Sequence, residues 1–139
     1  MPQVDINYVA VLIAAIVSMA IGSFWYSMKG FGKQWMALSG ITPDKINAAK
    51  AKGMQKTYAI AFVGSLVMSY VLAHFVDYAG AATIARGAQA GFWSWLGFIA
   101  PVALGSVLWE GKPWKLYVLN NAYYLVSLMV MGALLTVWA

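Results

Sequence analysis

Four long apolar runs, parted by short polar breaks, constrain this chain more than any motif in it: residues 6–28, 57–78, 88–109 and 116–138. A hydrocarbon core about 30 Å thick is crossed by roughly 20 apolar residues in an α-helix, and each run meets that length. The chain has 139 residues, is 63% hydrophobic and 9% charged, and has a mean hydropathy of +0.73. Ordinary soluble domains are about half apolar and about a quarter charged. A soluble core of this size has no room for the surplus. The expected architecture is therefore all-α: one polytopic membrane domain over residues 1–139, its four transmembrane helices paired as two antiparallel hairpins.

Charge gives those hairpins a direction. Six of the nine basic residues (Lys29, Lys33, Lys45, Lys50, Lys52 and Lys56) fall in the loop 29–56, against the single acid Asp44. Lys112 and Lys115 flank the turn between the last two runs, and Arg86 alone lies on the opposite side. Lysine and arginine beside a span are retained on the cytoplasmic side, so the loop and the 110–115 turn are expected inside and both termini outside. The same placement accounts for the net charge of +5 without nucleic acid, because topology and anionic headgroups explain basic residues next to spans. Residues 1–5 carry an acid and no lysine, unlike a cleavable signal. Within the loop, Thr42-Pro43 reads as an N-cap with proline in the first turn, opening a short helix to about Gly53.

Small residues predict how the spans meet. Ala14, Ser18 and Gly22 in the first run, and Ala61, Ser65, Ser69 and Ala73 in the second, recur every fourth position and let helices approach closely. The third run is the irregular one. Its Gly97, Pro101 and Gly105 share that spacing, and proline pushes on the carbonyl one turn earlier, so a kink and a groove are expected between Gly97 and Pro101. Phe24, Trp25, Tyr26, Trp93 and Trp95 read as interfacial belts.

Polar groups inside the apolar runs are the candidate site residues, because an amide or an ionisable group in hydrocarbon needs a partner. His74 and Asp77 lie three apart on one face of the second span, with Tyr78 beside them. Asn120 and Tyr124 share a face of the fourth span with Ser127 and Met131, with Asn121 adjacent. Glu110 is the expected partner of these amides, with Tyr26 or Tyr58 as further possibilities. His74 and Glu110 lie near opposite faces of the bilayer and cannot act as one acid–base pair. With no cysteine, one histidine and no glycine-rich phosphate loop, neither a metal nor a cofactor is expected, and the chain does not read as an enzyme.

Each half also reads Gly-Ser, then Trp, then Gly-Lys-x-Trp: Gly22-Ser23 and Trp25 with Gly32-Lys33-Gln34-Trp35, and Gly105-Ser106 and Trp109 with Gly111-Lys112-Pro113-Trp114. Together with Ile6-Asn7-Tyr8, Trp25-Tyr26-Ser27, Phe31-Gly32-Lys33, and Gly91-Phe92 leading through Trp95-Leu96-Gly97-Phe98 to Trp109-Glu110-Gly111, these residues resemble the DUF1761 family of small bacterial four-span membrane proteins. Met28 stands where that pattern has proline, so no sharp break is expected after the first span. The resemblance implies a fold and a location, the bacterial cytoplasmic membrane, and no activity. The functional expectation is an oligomeric interaction protein, or a binder of lipid or another apolar ligand at the groove of Gly97, Pro101 and Gly105, with His74 or the region of Glu110 and Asn120, beside Asn121 and Tyr124, fixing its polar end; a transporter or channel subunit is the alternative. Membrane lipids and further copies of the chain are the expected partners. A protease-cleavable tag fused after Ala139 should be cut from outside intact cells; cleavage only after the bilayer is breached would reverse the topology.

Overall fold

In a computed structural model, which describes residues 3–138, the chain forms eight helices among the described residues. Met1, Pro2 and Ala139, on which the placement of the extreme termini depends, lie outside that range. Four stretches are long and apolar enough to cross a membrane: α1 (Tyr8–Trp25), α4 (Gln55–Tyr78), the run Ile84–Leu108, and α8 (Trp114–Val137). The short helices α2 (Gly32–Ser39) and α3 (Pro43–Lys52) lie in the basic loop. The third crossing is interrupted, as α5 (Ile84–Phe98), α6 (Ala100–Ala103) and α7 (Gly105–Leu108).

Local chemistry accounts for the boundaries. The Asn7 side-chain oxygen accepts from the amides of Val9 and Ala10 at 3.1 and 3.2 Å, capping α1. Thr42 caps α3 through the Lys45 amide, with Pro43 in the first turn and Gly53 at φ 90° closing the helix, as the sequence predicts. Two features differ from expectation. The chain turns sharply after α1 although Met28 replaces proline: it doubles back through residues 26–31 so tightly that a Cβ on Gly30 would press into the Phe24 carbonyl, and one on Gly32 into the Ser27 carbonyl at 2.6 Å. The helix α2 was not foreseen, since eight residues with one turn of apolar content carry little periodic signal; Gly40 at φ 73° ends it.

The other three crossings pack around α8. Its Leu128, Met131 and Leu135 meet Ala10, Val11 and Ala14 of α1 and Leu72 and Val76 of α4 in the buried core. The start of α1 is tied to the end of α8 by a bond of 2.6 Å from the Asn7 amide nitrogen to the Trp138 carbonyl, so the two helices run antiparallel with these ends together. Midway, the hydroxyls of Ser18 and Ser127, both wholly buried, bond at 2.7 Å, and Ser69 donates to the Val11 carbonyl at 2.9 Å. The small-residue stripe on α1 thus serves α8, where Gly22 faces Tyr123, while that on α4 is buried at Ser65 and Ser69, packs on the core at Ala73 and is left exposed at Ala61. From Gln55 to Gly64 α4 buries no residue, so it splays from the bundle at its basic end.

The closest approach joins α5 to α8. A Cβ on Gly91 would press into the Leu128 carbonyl, and one on Gly87 or Gly132 into the backbone of the other. This pair, not Gly97 and Gly105, supplies the helix contact of the third crossing: Gly97 has nothing within 4 Å of its missing Cβ, and Gly105 only the Trp109 ring at 3.6 Å. The predicted kink is present. It is centred on Ile99, at φ −113° and ψ −54°, with Pro101 in the first turn of α6. Proline removes the donor that the Gly97 carbonyl would otherwise receive. One residue back from that proline, the Ala100 carbonyl accepts the Tyr117 hydroxyl of α8 at 2.7 Å, which fixes the broken segment against its neighbour. The two Gly-Lys-x-Trp copies do not match in conformation: Gly32 is buried and opens α2, whereas Gly111 turns at φ 69° before α8.

Gly91→Ala should lower stability in detergent by about 1–3 kcal/mol, because backbone and not a movable side chain must give way. Gly97→Ala should leave it unchanged or slightly raised, since the new methyl meets nothing and alanine favours the helix. Equal losses in thermal unfolding at both positions would contradict this account of the α5–α8 contact.

Candidate functional site

The break in the third crossing and the start of α8 frame an open groove of about 550 Å³ at the basic end of the bundle. Gly105, Glu110, Asn120, Asn121 and Tyr124 all line it, together with Val102, Ser106, Trp109 and Tyr117. Five of the residues singled out from sequence are thereby brought together. Pro101 lies at the head of the segment that forms one wall, while Gly97 is on α5 beyond the break.

The groove is built by successive turns of one helix. Tyr117, Asn121 and Tyr124 follow at spacings of four and three, so they stack along one face of α8, and Asn120, at the edge of that face beside Tyr124, is turned about 100° from Asn121. That rotation separates the two amides. Asn120 faces α1 and its side-chain oxygen accepts from the Tyr26 hydroxyl at 2.8 Å, so Tyr26 and not Glu110 is its partner. Asn121 is only 4% exposed, and its amide nitrogen donates to the Tyr117 carbonyl at 3.0 Å. A carbonyl only accepts, which fixes the orientation of the amide and leaves the side-chain oxygen as the remaining atom. That oxygen is buried and has no partner in the structure.

Around this orphan acceptor the other polar groups are partly committed. The Tyr117 hydroxyl donates to the Ala100 carbonyl, and Ser106 donates to the Ala103 carbonyl at 2.9 Å. Glu110, at the rim, is the one charged residue of the lining, and Trp109 beside it is 87% exposed. The groove therefore offers a carboxylate and the rings of Trp109, Tyr117 and Tyr124, with the unused amide oxygen of Asn121 buried in its wall. Such a set accepts hydrogen bonds and attracts positive charge through both the carboxylate and the ring faces. Among the described residues no three histidine, cysteine or acidic side chains converge as metal ligands.

The other sequence candidates lie elsewhere. The His74 ring nitrogen Nδ1 bonds the Tyr70 carbonyl of its own helix at 2.9 Å, and the ring packs edge-on to Tyr70 and Tyr78. Asp77 lines a small separate cavity with Asn7, Ala10 and Leu135 at the end where α1 begins. Neither reaches the groove. Trp25 and Tyr26, read from sequence as part of an interfacial belt, interlock with α8: the Trp25 indole donates to the Leu119 carbonyl at 3.1 Å, and both rings pack on Tyr123. Trp95 likewise packs against the core, while Trp93 is exposed as a belt residue would be. Tyr117 was missed, although extending the Asn121 and Tyr124 face one turn back along α8 reaches it.

No curated protein and no solved structure matches this chain. The profile of a family of unknown function does, over residues 9–136, which is nearly the whole chain and includes every groove residue. The protein belongs to the DUF1761 family.

Proposed function

We propose that this small membrane protein is a non-enzymatic lipid-binding protein, whose groove between the broken third crossing and α8 receives a lipid with an amine-bearing head. The observation that carries the reading is Asn121: the residue lines a groove with a carboxylate at its rim, and its side-chain oxygen is buried in that wall, fixed in orientation and unpartnered. A buried acceptor without a donor costs about 1–3 kcal/mol, so its retention is explained if a donor arrives with a ligand. A primary ammonium supplies both the donor and the charge that Glu110 and the three aromatic rings favour. Val102 and Ala103 supply apolar wall for the chain below the head.

The alternative, conduction or transport of a small solute, needs polar groups near the midplane free to replace hydration. Here Ser18 and Ser127 bond each other and Ser69 bonds the α1 backbone, so they hold helices together. That arrangement favours binding over passage.

Native mass spectrometry of protein released from nanodiscs tests the proposal. Phosphatidylethanolamine should be retained in preference to phosphatidylcholine, whose quaternary ammonium cannot donate, and Glu110→Gln should reduce that retention about tenfold. Asn121→Leu should abolish the preference while raising thermal stability by about 1 kcal/mol, because it removes an unsatisfied polar atom and strands nothing: the Tyr117 carbonyl keeps its helical donor. Asn121→Leu that destabilises the protein and leaves lipid preference intact would mean that the amide serves the fold alone.

A further inference from the structure

We propose a second site, separate from the groove: the cavity between the end of α1, the loop helices α2 and α3 and the first turn of α4 holds an anionic phospholipid, with α3 as its cover. The cavity measures about 800 Å³, within the range of small-molecule sites. It exists because α4 splays at this end and the chain doubles back after Trp25, so that α2 and α3 roof a space the four crossings do not fill.

The lining is sorted by chemistry. Met28, Met36 and Met54 come from three different segments, and Trp35, Tyr26 and Tyr58 add aromatic surface. Methionine is unbranched and adapts to irregular apolar shapes, as an acyl chain presents. Lys45 and Lys50 of α3 line the same cavity, and no lining residue is acidic; Asp44, the one acid of the loop, is not among them. Two lysines in a lining that is otherwise largely apolar complement a phosphate head with its attached chain, opposite in charge to the head inferred for the groove.

The helix α3 itself supports an occupant. It is ten residues long and buries none of them, and a helix of that length is marginal in isolation. Its Ile46 and Ala49 are turned toward the cavity, on the side that carries Lys45 and Lys50, so its one apolar side faces space that a lipid chain would fill. Tyr26 stands at the boundary of the two sites, its ring on the cavity and its hydroxyl on Asn120 of the groove.

The test is native mass spectrometry of protein from nanodiscs of phosphatidylcholine mixed with phosphatidylglycerol, which share chains and differ in head charge. Wild-type protein should retain phosphatidylglycerol. Lys45→Gln/Lys50→Gln should reduce retention about tenfold, while Lys29→Gln/Lys52→Gln, with the same net charge but outside the cavity, should change it less than about twofold. Ala49→Trp, which fills the cavity and keeps both lysines, should also displace the lipid. Equal losses in the two lysine pairs would reduce the effect to diffuse attraction and overturn the proposal. So would retention by Ala49→Trp, or complete displacement by inorganic phosphate, which would mark a site for a free anion. None of these variants alters Glu110 or Asn121, so phosphatidylethanolamine retention reports on the groove independently.

Discussion

The backbone contact between α5 and α8 is the constraint on which the rest of the structure depends. Inside a bilayer, apolar side chains gain nothing by leaving lipid for protein, so helices associate through close packing and a few hydrogen bonds. Gly87, Gly91 and Gly132 allow the two backbones to touch, and that contact fixes the rotation of α8. With α8 so turned, Ser127 meets Ser18, Asn120 meets Tyr26, and the Tyr117–Asn121–Tyr124 face is left toward the broken end of the third crossing. The groove is thus a consequence of how the hairpin is locked at its other end.

The two ends of the bundle are built differently. Toward Asn7 and Trp138, α1, α4 and α8 enclose Leu72, Met131 and Leu135 in a closed apolar core. Toward the basic loop, α4 diverges, the third crossing fragments at Ile99 and Leu104, and the polar and aromatic side chains gather. A closed half that specifies the fold leaves the open half free to carry groups that do not stabilise it, of which the orphaned Asn121 oxygen is the clearest.

Much of this was legible in the sequence. Run length revealed the four crossings, because a bilayer demands a minimum apolar span regardless of partner. The α3 helix followed from Thr42-Pro43 and Gly53, whose effects are local. Spacing alone also grouped Asn120, Asn121 and Tyr124. What it could not reveal was direction. The Gly87 and Gly91 pair straddles the boundary drawn between connection and span, and Pro101 drew attention to Gly97, which faces open space. A period of four marks a face without saying which neighbour it meets: Asn120 acquires the Tyr26 hydroxyl only once the end of α1 is placed beside α8, whereas Asn121 bonds back within α8 itself.

The most direct measurement is a high-resolution map of the protein in phosphatidylethanolamine nanodiscs. The account predicts elongated density along Val102 and Ala103, its polar end beside Glu110 and within hydrogen-bond reach of the Asn121 side-chain oxygen. A groove filled by the protein's own Trp109 or Tyr124, with that oxygen bonded to another side chain, would contradict it.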